Sequence, residues 1–332
     1  MSIDYKHNTK VTKDWHEEEE MRKAMDFNSL VEIYLEDSKF RHRPSTYNSK
    51  CQIFKNYILP FFSAMPINTI TPGSVRFWQN RLLNENDHFS DRYKRQIHMQ
   101  LSAVLNYAVK FHGLANNPCK LAGPIGSKKS PRMKFWTKHE FDQFIRSFEK
   151  TSPYHTIFNI LFYTGIRIGE LLALTLDDIN FEKETLFISK SYMRINKVDY
   201  LNPPKTPRSN REIAIPKFLC AMLRNHEQSL ENHNRSVRLF KTNRQAVNKT
   251  LKLAAEKSEV KQIRTHDLRH SHASLLLELG FSTILVSERL GHENIKTTLD
   301  TYSHLYPEKH IEVADKLDAI LNEDKIHKPI EV

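Results

Sequence analysis

Cysteine is scarce in this chain: Cys51, Cys119 and Cys220 are the only three in 332 residues. They are odd in number, far apart and without a CxxC pair, which argues against a disulfide framework or a thiolate zinc site. Long apolar runs are missing too. No stretch approaches the roughly 20 residues that a bilayer-spanning helix needs, and residues 1–20 carry too many charges for a signal peptide. A protein that stays in the cytoplasm is expected. The sequence also has no internal repeat and no HExxH pair.

Acidic residues are the minority, 39 Asp and Glu against 50 Lys and Arg, which leaves a formal net charge of +11. Such a surface attracts polyanions, so nucleic acid is the first partner to consider. The plainer reading is a solvated basic face, because charge speaks to association and not to fold. With 39% apolar residues the chain can bury a sizeable core, and its length favours two domains over one.

Residues 1–26 are polar, carry the run Glu17–Glu20, and read as a flexible or partly helical leader. From Phe27 the pattern becomes helical. Leu30, Val31, Ile33, Tyr34 and Leu35 give one stripe, and Pro44 with Ser45 opens a second helix through Tyr47, Cys51, Phe54 and Ile58 that Pro60 is expected to end. Thr71-Pro72 is an N-cap and first-turn signal for a helix through Val75, Trp78 and Leu82. A fourth helix is expected from Ser90 to Phe111, with Ile97, Leu101, Val104, Leu105 and Ala108 at three- and four-residue spacing. Residues 27–115 therefore read as a compact helical domain. The stretch 116–131, with Asn117-Pro118, Gly123-Pro124, Gly126 and Lys128-Lys129, reads as a linker.

Residues 132–332 form the second expected domain. Thr137 caps a helix reaching Glu149, and another over 154–163 can be terminated by Gly165. Thr185–Ser191 and Arg211–Ile215 are the convincing strands, and the prolines of Pro203-Pro204-Lys205-Thr206-Pro207 make the segment between them a turn or loop. Further helices are expected over 217–230, 244–256, 266–279, 282–290 and 308–322. The fold class is mainly α with a small antiparallel β-sheet.

Three islands carry the chemistry: TGIRIGE (164–170), THDLRH (265–270) and LGHENIKTTLDTYSH (290–304). Thr265 is a good N-cap for a helix beginning at His266, whose first turn offers free N–H groups and a positive dipole end to an anion. His266 and Arg269, three apart, project from one face. Arginine can give a phosphate two parallel hydrogen bonds. In the first island Gly165 ends one helix and Gly169-Glu170 can begin another, so Arg167 sits on a sharp turn with Glu170 placed to hold its guanidinium. A lone arginine there is more often a surface or capping residue, and a lone tyrosine such as Tyr302 is more often structural. The ordered set of Arg167, His266, Arg269, His292 and Tyr302 points instead to a phosphate-binding nucleophile site.

Ionising a tyrosine of pKa about 10 at pH 7 costs about 4 kcal/mol. One preorganised donor in an oxyanion-type site is worth about 2.7 to 4 kcal/mol, so three or four around one phosphate supply much of an acceleration without a metal. A zinc site built on His266, His270 and His272, completed by His292 or His304, is the competing reading. No cysteine joins that cluster, and Arg269 inside it would repel a cation. His270 and His272 then read as satisfied structural histidines.

The islands resemble the catalytic motifs of the tyrosine recombinases, the phage integrase family. That family's TGxRxxE turn, HxLRH motif and LGHxxxxxTxxxYxH segment match residues 164–170, 266–270 and 290–304, and the resemblance covers about residues 27–325. It implies a helical core-DNA-binding domain followed by a catalytic domain that cleaves and rejoins DNA through a 3'-phosphotyrosine. By the same resemblance, Arg167 and Arg269 bind the scissile phosphate, His292 donates to a non-bridging oxygen, and Tyr302 attacks phosphorus. His266 accepts a proton or binds phosphate, while Glu170 and His270 support. Lys205, in Pro204-Lys205-Thr206, fits the family's hairpin lysine that protonates the leaving 5' oxygen. No metal or other cofactor is implied, since the phosphodiester is stored as a protein ester.

The resemblance further implies a homo-tetramer around two specific sites in double-stranded DNA, a nucleoid location when acting, accessory directionality or DNA-bending proteins, and no membrane partner. A C-terminal helix from Glu308 to Leu321 and a tail over 324–332 would pack on a neighbouring subunit. Arg41, Arg43, Arg92, Lys94 and Arg95 are the phosphate contacts expected of the first domain. The 26 residues before Phe27 are too few for the arm-binding domain of about 60 residues that many mobile-element integrases carry. Integration or excision of a mobile element is the expected activity. The alternatives are type IB topoisomerase-like relaxation, chromosome-dimer resolution and a catalytically silent DNA-binding protein.

Overall fold

The computed structural model describes residues 25–127, 133–203, 210–230, 234–291 and Asp318. The chain falls into two compact units, Met1–Pro131 and Arg132–Val332. Both are mainly helical.

In the first unit, α1 (Phe27–Arg41) starts at Asp26, whose carboxylate accepts the Ser29 N–H at 2.7 Å. Next, α2 (Pro44–Ile53) runs through one π turn, Phe54–Ile58, into the short α3 (Leu59–Phe62). Pro60 does not end this segment. It falls in the first turn of α3, where its missing N–H is tolerated, and the wide π turn before it carries the chain onward to Phe62. α4 (Pro72–Glu85) opens on a Thr71–Ser74 capping box, and α5 (Asp91–Phe111) on Ser90. Phe27, Phe54, Phe62, Trp78 and Leu101 are among the core residues these helices bury together. The stretch that composition reads as linker contains α6 (Pro118–Ala122), and Cys119 and Ile125 are buried in the same core.

The second unit begins with α7 (Lys138–Ile145), which opens on a Thr137–Glu140 capping box. α8 (Pro153–Thr164) is buried from Thr156 through Phe162, so it runs through the core, where Phe162 stacks on Phe141 at 3.8 Å between centroids. Then come α9 (Ile168–Leu171) and the strands β1 (Ile179–Asn180), β2 (Thr185–Ile188), β3 (Ser191–Ile195), β4 (Val198–Asn202) and β5 (Arg211–Ala214). β1, β2 and β5 form an antiparallel sheet in that order, with Leu186 opposite Ile213 and Ile188 opposite Arg211.

The hairpin β3–β4 is absent from the sequence reading. Its residues do not alternate in polarity, and its turn is Asn196-Lys197, both at positive φ, without the glycine that usually announces such a turn. The unit continues with α10 (Lys217–Gln228), α11 (Arg244–Lys257), α12 (Asp267–Glu278) and α13 (Thr283–Leu290). The helix expected over 308–322 lies, Asp318 apart, outside the described residues, as do residues 1–24 of the expected leader and the loop over 204–209. Among the described residues no helix is long and apolar enough to cross a membrane.

Candidate active site

Arg167 is the N-cap of α9, two residues after the left-handed Gly165 that ends α8. Glu170 reaches back one turn. Its Oε2 accepts the Arg167 backbone N–H at 3.0 Å and its Oε1 accepts Nη1 of the Arg167 guanidinium at 2.7 Å. Glu170 is buried, whereas the Arg167 side chain is 39% exposed. Among the described residues the Nε and Nη2 edge of Arg167 has no partner. A guanidinium pinned at one corner and open along its edge can take two oxygens of one anion.

The carboxylate of Glu170 also accepts from Arg211, at 2.9 Å from Nη2 to Oε2 and 3.5 Å from Nη1 to Oε1. Burial alone would raise the Glu170 pKa. The charge and hydrogen bond of Arg211, and then Arg167, outweigh burial and hold it below the ordinary carboxylate value. Sequence reasoning missed Arg211. A signal exists in the period of two along β5, which puts Arg211 on the inward face shared with Ile213 and Ile215.

α12 begins one residue later than expected, at Asp267, with His266 as its N-cap. Thr265 does not cap it. Its hydroxyl donates to Oδ1 of Asn248 at 2.7 Å, and the turn is held by Asp267, whose carboxylate accepts the Arg264 backbone N–H at 2.8 Å and Nη2 at 2.7 Å. The Asp267 N–H, which a Thr265 cap could have taken, goes instead to the Arg264 carbonyl at 2.8 Å.

Arg269 is 3% exposed. Its Nη1 donates to the Gly165 carbonyl at 2.9 Å and its Nη2 to the Leu290 carbonyl at 2.6 Å, so one side chain ties the Arg167 turn to the end of α13. Arg211 Nε takes the neighbouring carbonyl, that of Arg289, at 3.0 Å. The last carbonyls of a helix are its negative pole, and two guanidiniums sit on them here.

His272 is buried, with Nδ1 against the Phe162 carbonyl at 2.8 Å and Nε2 against Nε of Arg289 at 3.2 Å. A carbonyl only accepts and a guanidinium only donates, so the ring is neutral with its proton on Nδ1. Burial, then Arg289, push its pKa down to about 3. This is the satisfied structural histidine that the sequence suggests. His270 faces His266 edge-on at 5.2 Å, and burial, then His266, lower its pKa to about 4. His266 is lowered by desolvation, then by Arg269, while one edge stays open to solvent. A neutral, accessible imidazole beside two arginines can accept a proton. Among the described residues no group of three His, Cys, Asp or Glu is arranged to hold a metal ion.

Arg167 and His266 line one open cavity of about 540 Å³ together with Arg244, Asn248, Lys252 and Arg264. Arg244 and Lys252, two turns apart on α11, are further exposed cations that the sequence reading did not single out. Lys205, His292 and Tyr302 lie outside the described residues.

Of the cations expected to meet DNA from the first unit, Lys94 is misplaced by that reading. It is buried, with Nζ on the Asp87 carbonyl at 3.3 Å, because it shares the α5 stripe of Ile97 and Leu101 at the same three- and four-residue spacing. Arg41 is exposed and its Nε donates to Asp37 at 2.8 Å. Arg43 and Arg92 are exposed, and Arg95 is half-buried.

The phage integrase family model matches residues 134–309, and the N-terminal SAM-like domain of phage integrases matches residues 26–83. The ICEBs1 integrase of Bacillus subtilis is 30% identical, over 94% of this chain and 88% of the relative. A tyrosine recombinase XerC-like protein of Caldanaerobacter subterraneus is 28% identical, over 84% and 79%. Among solved structures, the Tn1549 transposon integrase in complex with a circular intermediate DNA shares the fold at a TM-score of 0.72 and 18% identity, over 87% of this chain and 99% of that one. The lambda integrase dimer bound to a COC' core site does so at 0.66 and 15%, over 92% and 83%. The chain therefore belongs to the phage integrase family, the tyrosine recombinases, and is an enzyme that cleaves and rejoins DNA at specific sites.

Proposed function

We propose that this recombinase integrates or excises a mobile DNA element with Tyr302 as its nucleophile. Tyr302 Oη forms a bond to the scissile phosphorus as the bond to the 5' oxygen breaks, leaving a 3'-phosphotyrosine and a free 5'-hydroxyl. His266 takes the phenol proton, and Lys205 gives one to the departing oxygen. Arg167, Arg269 and His292 hold the non-bridging oxygens, and Glu170 and His270 support them. Attack by a 5'-hydroxyl on the phosphotyrosine reverses the step, so no ATP is required.

The observation that carries this reading is the placement of Arg167. It is locked from behind by a buried carboxylate and opens, beside a neutral His266, into a basic cavity. The integrase relatives favour element movement over topoisomerase-like relaxation. The lambda integrase tetramer bound to a Holliday junction supports a homo-tetramer on two double-stranded sites. Accessory directionality or DNA-bending proteins acting with it at the nucleoid belong to the same proposal.

The test uses a nicked suicide substrate carrying the element ends. Wild-type protein forms an SDS-resistant covalent complex, and Tyr302→Phe binds the same DNA with nearly the same affinity and forms none. A covalent complex in the Tyr302→Phe protein would remove Tyr302 as nucleophile.

A further inference from the structure

We infer that Arg211 is a positioning residue of the recombination reaction, fixing the Arg167 turn and the end of α13 relative to one another. The inference rests on the assignment of Arg167 to the scissile phosphate.

Arg211 stands where three elements meet. From β5 it gives Nη2 and Nη1 to Glu170 on α9 and Nε to the Arg289 carbonyl on α13. Both side chains of the Arg211–Glu170 pair are 7% exposed, so neither is shared with solvent. Every nitrogen of the fork is engaged, and the side chain is too enclosed to meet DNA itself. Its effect on the reaction passes through what it holds. Glu170 carries Arg167, and Gly291 after α13 leads directly to His292 in the chain.

The pair is a poor device for stability alone. Burying an ion pair seldom gains over apolar side chains of the same volume, because desolvation offsets the attraction. It is a good device for geometry. A planar fork on a carboxylate fixes distance and orientation together, whereas a lysine at the same place would meet one oxygen and leave the carbonyl of Arg289 without its donor. Without Arg211, Glu170 would face Arg167 alone, and a misplacement of about 1 Å at a reacting group can cost on the order of 100-fold in rate.

The experiment measures single-turnover cleavage of the suicide substrate and duplex affinity for the full chain and its Arg211→Lys, Glu170→Gln, Arg211→Lys/Glu170→Gln and Arg167→Ala variants. Both single changes at 211 and 170 should slow cleavage on the order of 10- to 100-fold with affinity unchanged. The double variant should be no slower than the slower single, because both changes break one chain of contacts. A wild-type cleavage rate in Arg211→Lys, a loss confined to affinity, or a double variant slowed by the product of the singles would overturn the inference. If Arg211→Lys does not fold, Glu170→Gln, which keeps the shape of the side chain, decides alone, and wild-type cleavage there overturns it equally. Arg167→Ala separates the premise: rapid cleavage by that variant removes the phosphate assignment itself, while slow cleavage beside a fast Arg211→Lys removes only the positioning role.

Discussion

A Cβ on Gly165 would stand 2.6 Å from Cδ2 of His272 and 2.7 Å from Cδ2 of Leu290. The turn that carries Arg167 is therefore pressed against α12 and α13 with only a hydrogen between them. Gly165 also has a φ of +65°, which ends α8 and releases the chain toward Arg167. Space and backbone conformation both demand glycine here.

Gly165→Ala should lower stability by about 2 to 4 kcal/mol, from the left-handed penalty and the overpacking together. Urea unfolding of the second unit measures this, and a midpoint equal to wild type would show that the contact relaxes. Covalent complex formation should fall as well, since His272 and Leu290 cannot both yield without moving the Arg269 contacts.

Stability should decrease as the solution is acidified, in a window set by His272. Its folded pKa lies near 3 and its unfolded value near 6.5, so the unfolded chain binds the extra proton. The contribution is fully present above pH 6.5 and is lost as pH falls toward 3, at about 1.4 kcal/mol per unit. His270, lowered to about 4, acts with the same sign. Between pH 6.5 and pH 5 the His272 share is about 2 kcal/mol, and His272→Gln should remove it from the measured slope. Identical pH slopes for the two proteins would contradict a neutral His272.

Arg269→Ala should damage both fold and chemistry. Two buried carbonyls lose their donor, which destabilises by about 1 to 3 kcal/mol each, and the transition state loses a donor worth about 2.7 to 4 kcal/mol. Arg269→Lys separates the two effects, because one ammonium can keep a carbonyl but not the fork. Cleavage at the wild-type rate by Arg269→Lys would mean that the guanidinium serves packing only.

Much of this architecture is legible in the residues themselves. Thr71 and Thr137 cap the helices they are expected to cap, Gly165 ends α8, and Glu170 holds Arg167 through the three-residue spacing that suggests it. Those are local interactions, and local interactions leave a local pattern. The failures are tertiary. Lys94 reads as a surface cation until its position on the Ile97–Leu101 stripe is counted, and Pro60 reads as a stop until a π turn precedes it. Thr265 turns its hydroxyl to Asn248, 17 positions away, and leaves the helix start uncapped by a side chain. Arg211 belongs to the site through bonds spanning 41 and 78 positions of chain, a separation over which no sequence period extends.

Gly169 lets α9 lie against the hairpin. A Cβ there would fall 2.5 Å from Oγ of Ser191 and 3.2 Å from the Tyr192 carbonyl, so α9 lies flush against the first strand of the hairpin β3–β4. That hairpin leads the chain to Lys205, three residues past Asn202. The spacing between the arginine turn and this arm is thus tight, set where the Ser191 hydroxyl and the Tyr192 carbonyl crowd the Gly169 Cα. Mutation can widen the gap but has no room to narrow it, so variants of this enzyme should tolerate changes along the hairpin far better than any side chain added at its root.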